Sequence, residues 1–97
     1  MTNAEILTIL KSDLDIAATS TTKDELLNNL ITLSISAITR EGITFADPLS
    51  VEDGTLIEMY AAFLYRKRKE STQTMPRSLR YMLNNKLLQQ KGGANGQ

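Results

Sequence analysis

Apolar residues fall into four blocks along the chain, each with the three- and four-residue recurrence of a helix. In the first, Ile6, Leu10 and Leu14 repeat at four-residue steps, with Leu7 beside them. Thr2 and Glu5 precede this block at capping-box spacing, where hydroxyl and carboxylate satisfy orphan amides reciprocally. A first helix to about Asp13 is predicted, followed by a Ser- and Thr-rich loop over Ile16–Thr22. Thr22 and Glu25 repeat the box and open a second helix to about Arg40, with Gly42 as its stop. Leu26, Leu30, Leu33 and Ala37 line one side of that helix. Leu27, Ile31, Ile35 and Ile38 widen the apolar arc to about half the circumference. The remaining face, Asn28, Asn29, Thr32, Ser36 and Thr39, is polar but uncharged. Such a face suits solvent or a neighbouring subunit equally, because few charges need desolvating.

Residues 43–50, with Pro48, read as a connection or a short extended piece. Ser50 is a suitable N-cap and Asp53 a favourable first-turn acid for a third helix to about Lys69. Its middle, Leu56–Tyr65, is apolar nearly all round, interrupted only by Glu58, and a helix of that kind belongs at the centre of a fold. After a turn over Glu70–Met75, Pro76 suits the first position of a fourth helix, which Gly92 and Gly93 stop after about Gln90. Leu79, Met82, Leu83 and Leu87 form its core stripe. Arg77, Tyr81, Asn84 and Leu88 form a second stripe, spaced like a coiled-coil seam. The expectation is an all-α protein: a compact bundle of four helices with short connections, the third helix central. Residues 1–91 make a single domain and residues 92–97 a flexible Gly-rich tail.

The 97 residues suit one domain with a modest core, and 41% hydrophobic against 23% charged content is that of a folded chain. Before Lys11 there is no cation, and the longest apolar run, Met59–Tyr65, is far below the roughly 20 residues that span a bilayer. A soluble protein without an export signal is expected. The absence of histidine and cysteine removes the common nucleophile–base pairs and zinc sites. Neither a P-loop nor a dinucleotide-binding glycine pattern occurs. Asp13, Asp15 and Asp24 begin a calcium-loop spacing, but Ala17 and Ala18 occupy positions that need a ligand and a glycine. No enzyme, no metal and no cofactor is expected.

Charge changes the picture more. Met1–Met59 carries ten acids and three bases, a balance of −7, whereas residues 60–97 carry eight bases and one acid, a balance of +7. The basic block begins at Tyr65-Arg66-Lys67-Arg68-Lys69 and admits three readings. A helix–turn–helix could place Arg77, Arg80 and Asn84 near a DNA groove, although the turn is long for that motif and the acidic part opposes phosphate. A membrane surface ranks last, because Lys86 interrupts the apolar arc of the fourth helix. In the third reading the basic end of one copy meets the acidic end of the next, a heterologous contact that generates rings or filaments. Against all three stands a monomer whose long cationic stems merely cover apolar surface.

The segments ILTILKSDLDI, KDELLNNLITLSISAI, EGI, TLIEMYAAFLYRKRK and MPRSLRYMLNNKLL resemble the small head–tail connector (adaptor or head-completion) proteins of tailed bacteriophages, over roughly Ile6–Leu88. The MYAAFLYRKR and MPRSLRYMLNNKL pieces are the most specific. The resemblance implies a helical subunit of the virion's head–tail junction, assembled in the host bacterial cytoplasm. It would join a ring of its own copies beneath the portal protein, precede a tail-completion protein, and let genomic DNA pass without sequence recognition. It implies no catalytic residue. The family-like stretch assigns Tyr65, Arg66, Lys67, Arg68, Lys69, Met75, Pro76, Arg77, Arg80, Asn84 and Asn85 to an interaction surface. Tyr81 and Leu88 of the seam complete it.

Overall fold

A computed structural model describes residues 1–94 and contains four helices: α1 (Asn3–Asp13), α2 (Asp24–Arg40), α3 (Val51–Lys69) and α4 (Arg77–Ala94). The described residues are all-α, and α3 makes the most contacts with the other helices.

α1 begins as its capping box requires. The Thr2 amide donates to Glu5 Oε1 at 2.8 Å, and the Glu5 amide donates to Thr2 Oγ1 at 3.2 Å. The second box does not form. Lys23 is the N-cap of α2 without a side-chain capping hydrogen bond, and the Thr22 hydroxyl lies 3.3 Å from that of Ser20. Tertiary contacts anchor this turn instead. Lys23 reaches the Tyr65 hydroxyl at 2.9 Å, and Asp24 pairs with the buried Lys11 ammonium at 2.5 Å. At the other end Gly42 adopts φ of +109°, a left-handed conformation that glycine takes without Cβ strain.

Ser50 caps α3, its Oγ accepting from the Asp53 amide at 3.0 Å. Ile57 and Ala61 are wholly buried, and Leu56, Ala62, Phe63 and Tyr65 nearly so, so α3 is covered around most of its circumference. α1 runs alongside α3 in the same direction, with Met1 packed at Gly54 and Asp13 bonded to Arg66. α2 starts beside the end of α3 and contributes Leu27, Leu30, Ile31 and Ile38 to the core. α4 adds Leu79 and Leu83 and meets α3 more than any other helix.

Two boundaries of α4 differ from the sequence reading as well. Pro76 lies just ahead of α4, its carbonyl accepting from the Arg80 amide at 3.1 Å. α4 also continues through Gly92 and Gly93 to Ala94. Glycine lowers helix propensity by about 1 kcal/mol but leaves helical dihedrals open, so it permits a stop without enforcing one. The part of the expected tail at residues 95–97 lies outside the described residues.

Because α4 is held mainly through one neighbour, it is expected to open before the rest. Amide exchange should be at least about tenfold faster across Leu79–Leu87 than across Ile57–Phe63. Equal protection in the two segments would show that α4 unfolds only with the whole domain.

Candidate interaction surfaces

The residues expected at an interface divide into three groups. The first is committed within the protomer. Tyr65 is only 7% exposed; its hydroxyl accepts from Lys23, and the Lys23 and Lys69 ammonium groups lie 5.4 and 5.1 Å from its ring centroid. The hydrogen bond from Lys23 holds the phenol below its ordinary pKa range. Tyr65 is therefore a buried anchor rather than a presented ring. Arg66 bonds Asp13 Oδ1 at 3.2 Å. Arg80 donates two parallel bonds to Glu41, at 2.9 and 3.1 Å, and a third to Asn84 Oδ1 at 3.3 Å, fixing α4 against the end of α2. Met75 is half-buried against the core.

The second group is the α4 seam. Arg77, Tyr81, Asn84 and Leu88 are all exposed, and Tyr81 and Leu88 each keep 66% of their surface in solvent. Pro76 and Asn85 are exposed near it.

The third group, Lys67, Arg68 and Lys69, is exposed and carries no ion pair among the described residues. Lys67 and Arg68 border a depression of about 410 Å³ floored by Leu26, Leu30, Leu33 and Leu64, with Asn29 at its edge. Sequence reading of interface residues missed this depression. Its signal was the width of the apolar arc on α2, broader than one packed neighbour covers, which leaves Leu33 48% exposed. The uncharged face of α2, Asn28, Asn29, Thr32, Ser36 and Thr39, is exposed throughout.

The acidic and basic parts of the chain do not become acidic and basic flanks of the molecule. α1 ends, and α2 begins, beside the C-terminal end of α3. Asp13 and Asp15 consequently line one cavity of about 290 Å³ with Arg66, Lys69 and Glu70. Among the described residues three ion pairs join the two parts of the chain within one protomer: Arg66 with Asp13, Arg80 with Glu41, and Lys86 with Asp53 at 2.9 Å. Steering of sister copies by opposed charged halves loses its basis, and only local charges remain available.

Close enough to Arg66 to feel its charge is the polar interruption of the apolar middle of α3. Glu58 is 5% exposed, and its pKa is pushed up to about 8 by burial, then by the adjacent Asp13 carboxyl, with Arg66 opposing. No helix among the described residues is long and apolar enough to cross a membrane. Comparison with protein-family models, curated proteins and solved structures finds no match.

Between the ordinary carboxyl value of 4.5 and about 8, folded Glu58 holds a proton that the unfolded chain releases. Stability from this group is thus present at low pH and lost as pH rises through that window. Glu58→Gln, which keeps a neutral group there, should flatten the decline, a difference of a few kcal/mol between the pH limits in urea titrations. Parallel curves for parent and variant would remove Glu58 as the cause.

Proposed function

We propose that this chain is a structural subunit of the head–tail junction of a tailed bacteriophage. In this reading copies add as a ring to the portal protein, extend the channel for genomic DNA, and prepare the site for a tail-completion protein. The role is assembly rather than catalysis. The observation that carries it is the α4 seam, where Tyr81 and Leu88 sit 66% exposed on one stripe with Arg77. Aromatic, leucine and arginine side chains on one helical stripe have the character of an interface core awaiting a partner. The resemblance of the MYAAFLYRKR and MPRSLRYMLNNKL segments to connector proteins supplies the kind of partner.

The mechanism follows from which groups remain available. Arg66, Arg80 and Lys86 are neutralised by their own protomer and hold the helices in place. Packing at the α4 seam closes contacts with portal or neighbour. The uncharged face of α2 is the surface suited to passing DNA, since it offers no cations to hold phosphate. Sequence-specific DNA binding is less well supported. Arg80 is bonded to Glu41 and Asn84 to Arg80, so two of the three side chains that reading assigns to a groove are occupied.

Mixing the purified chain with portal rings tests the proposal. Portal complexes should gain mass in steps of one 10.8 kDa subunit and show added density at one end by electron microscopy. Tyr81→Glu with Leu88→Glu should weaken that association about 30-fold or more, the effect of losing an interface hot spot. Portal and chain eluting apart at every salt concentration would overturn the proposal. Retardation of duplex DNA that falls steeply with salt would favour the DNA-binding alternative.

A further inference from the structure

The depression between α2 and α3 has two properties that together restrict its occupant. Its floor is leucine, and its rim carries Lys67 and Arg68 without carboxylate partners among the described residues. The complement is an exposed apolar side chain beside an unengaged carboxylate.

Five large apolar side chains are exposed among the described residues: Ile9, Leu33, Val51, Tyr81 and Leu88. Leu33 belongs to the depression itself. Tyr81 and Leu88 share their stripe with Arg77, which would repel the rim. Ile9 has a carboxylate one turn away on each side, but Glu5 is held in the capping box and Asp13 by Arg66. Val51 remains. It is 68% exposed in the first turn of α3, and the adjoining Glu52 is exposed with no ion pair among the described residues.

We infer that the Val51–Glu52 turn of one copy docks in the Leu26/Leu33/Leu64 depression of the next, with Glu52 facing Lys67 and Arg68. The inference rests on the assembly reading above and specifies its copy-to-copy contact. The two surfaces sit near opposite ends of α3, separated by about 20–25 Å of helix at 1.5 Å per residue. They do not overlap, so each copy can present both at once. A contact between different surfaces of identical chains is heterologous and propagates around a ring. It also leaves the α4 seam free for the portal.

Charge exchange tests this on the full chain, with association among copies read by sedimentation both in solution and on portal rings. Lys67→Glu with Arg68→Glu, and separately Glu52→Lys, alter exposed residues outside the core, and circular dichroism should match the parent. Each variant alone should associate with itself about tenfold more weakly, or worse, because like charges then face each other. An equimolar mixture should recover association, since the acidic depression of one variant accepts the basic turn of the other and the reverse pairing is also complementary. Parent-like association by either variant alone, or no recovery on mixing, overturns the pairing while leaving portal binding intact. If Lys67→Glu with Arg68→Glu loses portal binding but copies still associate, the depression belongs to the portal and the pairing is wrong. A parent chain that neither self-associates nor binds portal removes the assembly reading as well.

Discussion

The apolar circumference of α3 is the constraint from which the rest of the architecture follows. A helix carrying Leu56, Ile57, Ala61, Ala62, Phe63 and Tyr65 on several sides cannot leave any broad face in water, so more than one partner must cover it. α1 and α2 are each amphipathic and too short to form a core as a pair. Packed on α3 they bury Ile6, Leu10, Leu27, Leu30, Ile31 and Ile38. α4 closes the remaining side with Leu79 and Leu83. Since α4 is fastened mainly to α3 and by ion pairs at Glu41 and Asp53, its outer stripe remains unpacked. The exposed seam is a consequence of the same arrangement that fills the core.

Glu58 shows what that arrangement does to chemistry. A carboxyl buried on a helix covered around most of its circumference must lie near something, and the position of α1 supplies Asp13, a second acid, with Arg66 alongside. The low local dielectric favours the protonated form, and Arg66 only partly offsets it. The same Asp13–Arg66 pair joins an acid from the front of the chain to a base from the back. Close packing therefore consumes charge that the linear sequence presents as surplus.

The fold was legible because helix periodicity and capping are local properties. The Thr2–Glu5 box, the Ser50 cap, the Gly42 stop and the centrality of Leu56–Tyr65 need only neighbouring residues, and all are found. Failures occur where a distant residue decides. The Thr22 box does not form because Lys23 and Asp24 bond to Tyr65 and Lys11. Tyr65 reads as an aromatic beside a basic run, yet Lys23 and Lys69 enclose it. The expectation of opposed charged halves failed for the same reason: a helix end's position is set by packing, not by its place in the chain. The α2–α3 depression could not be read from either helix alone, because α2 supplies Leu26, Leu30 and Leu33 while α3 supplies Leu64 and both cations.

Under the proposed assembly role, these corrections narrow where the protein can make contact. Net charge of the halves favours orientation over tens of ångströms, but salt screens such effects within about 8–10 Å under physiological conditions. Ion pairs inside the protomer weaken them further. What survives at contact range is local: leucines with two cations in one place, a valine with one carboxylate in another, and a tyrosine–leucine stripe in a third. Three chemically distinct patches on one small domain suit an object that touches more than one neighbour. A symmetric dimer requires one self-complementary patch, and Lys67 with Arg68 would repel their own copies across a two-fold axis. The charge that remains exposed thus fits the proposed head-to-tail contact better than a two-fold contact at this depression, even though the large-scale charge asymmetry that first suggested it is absorbed by the fold.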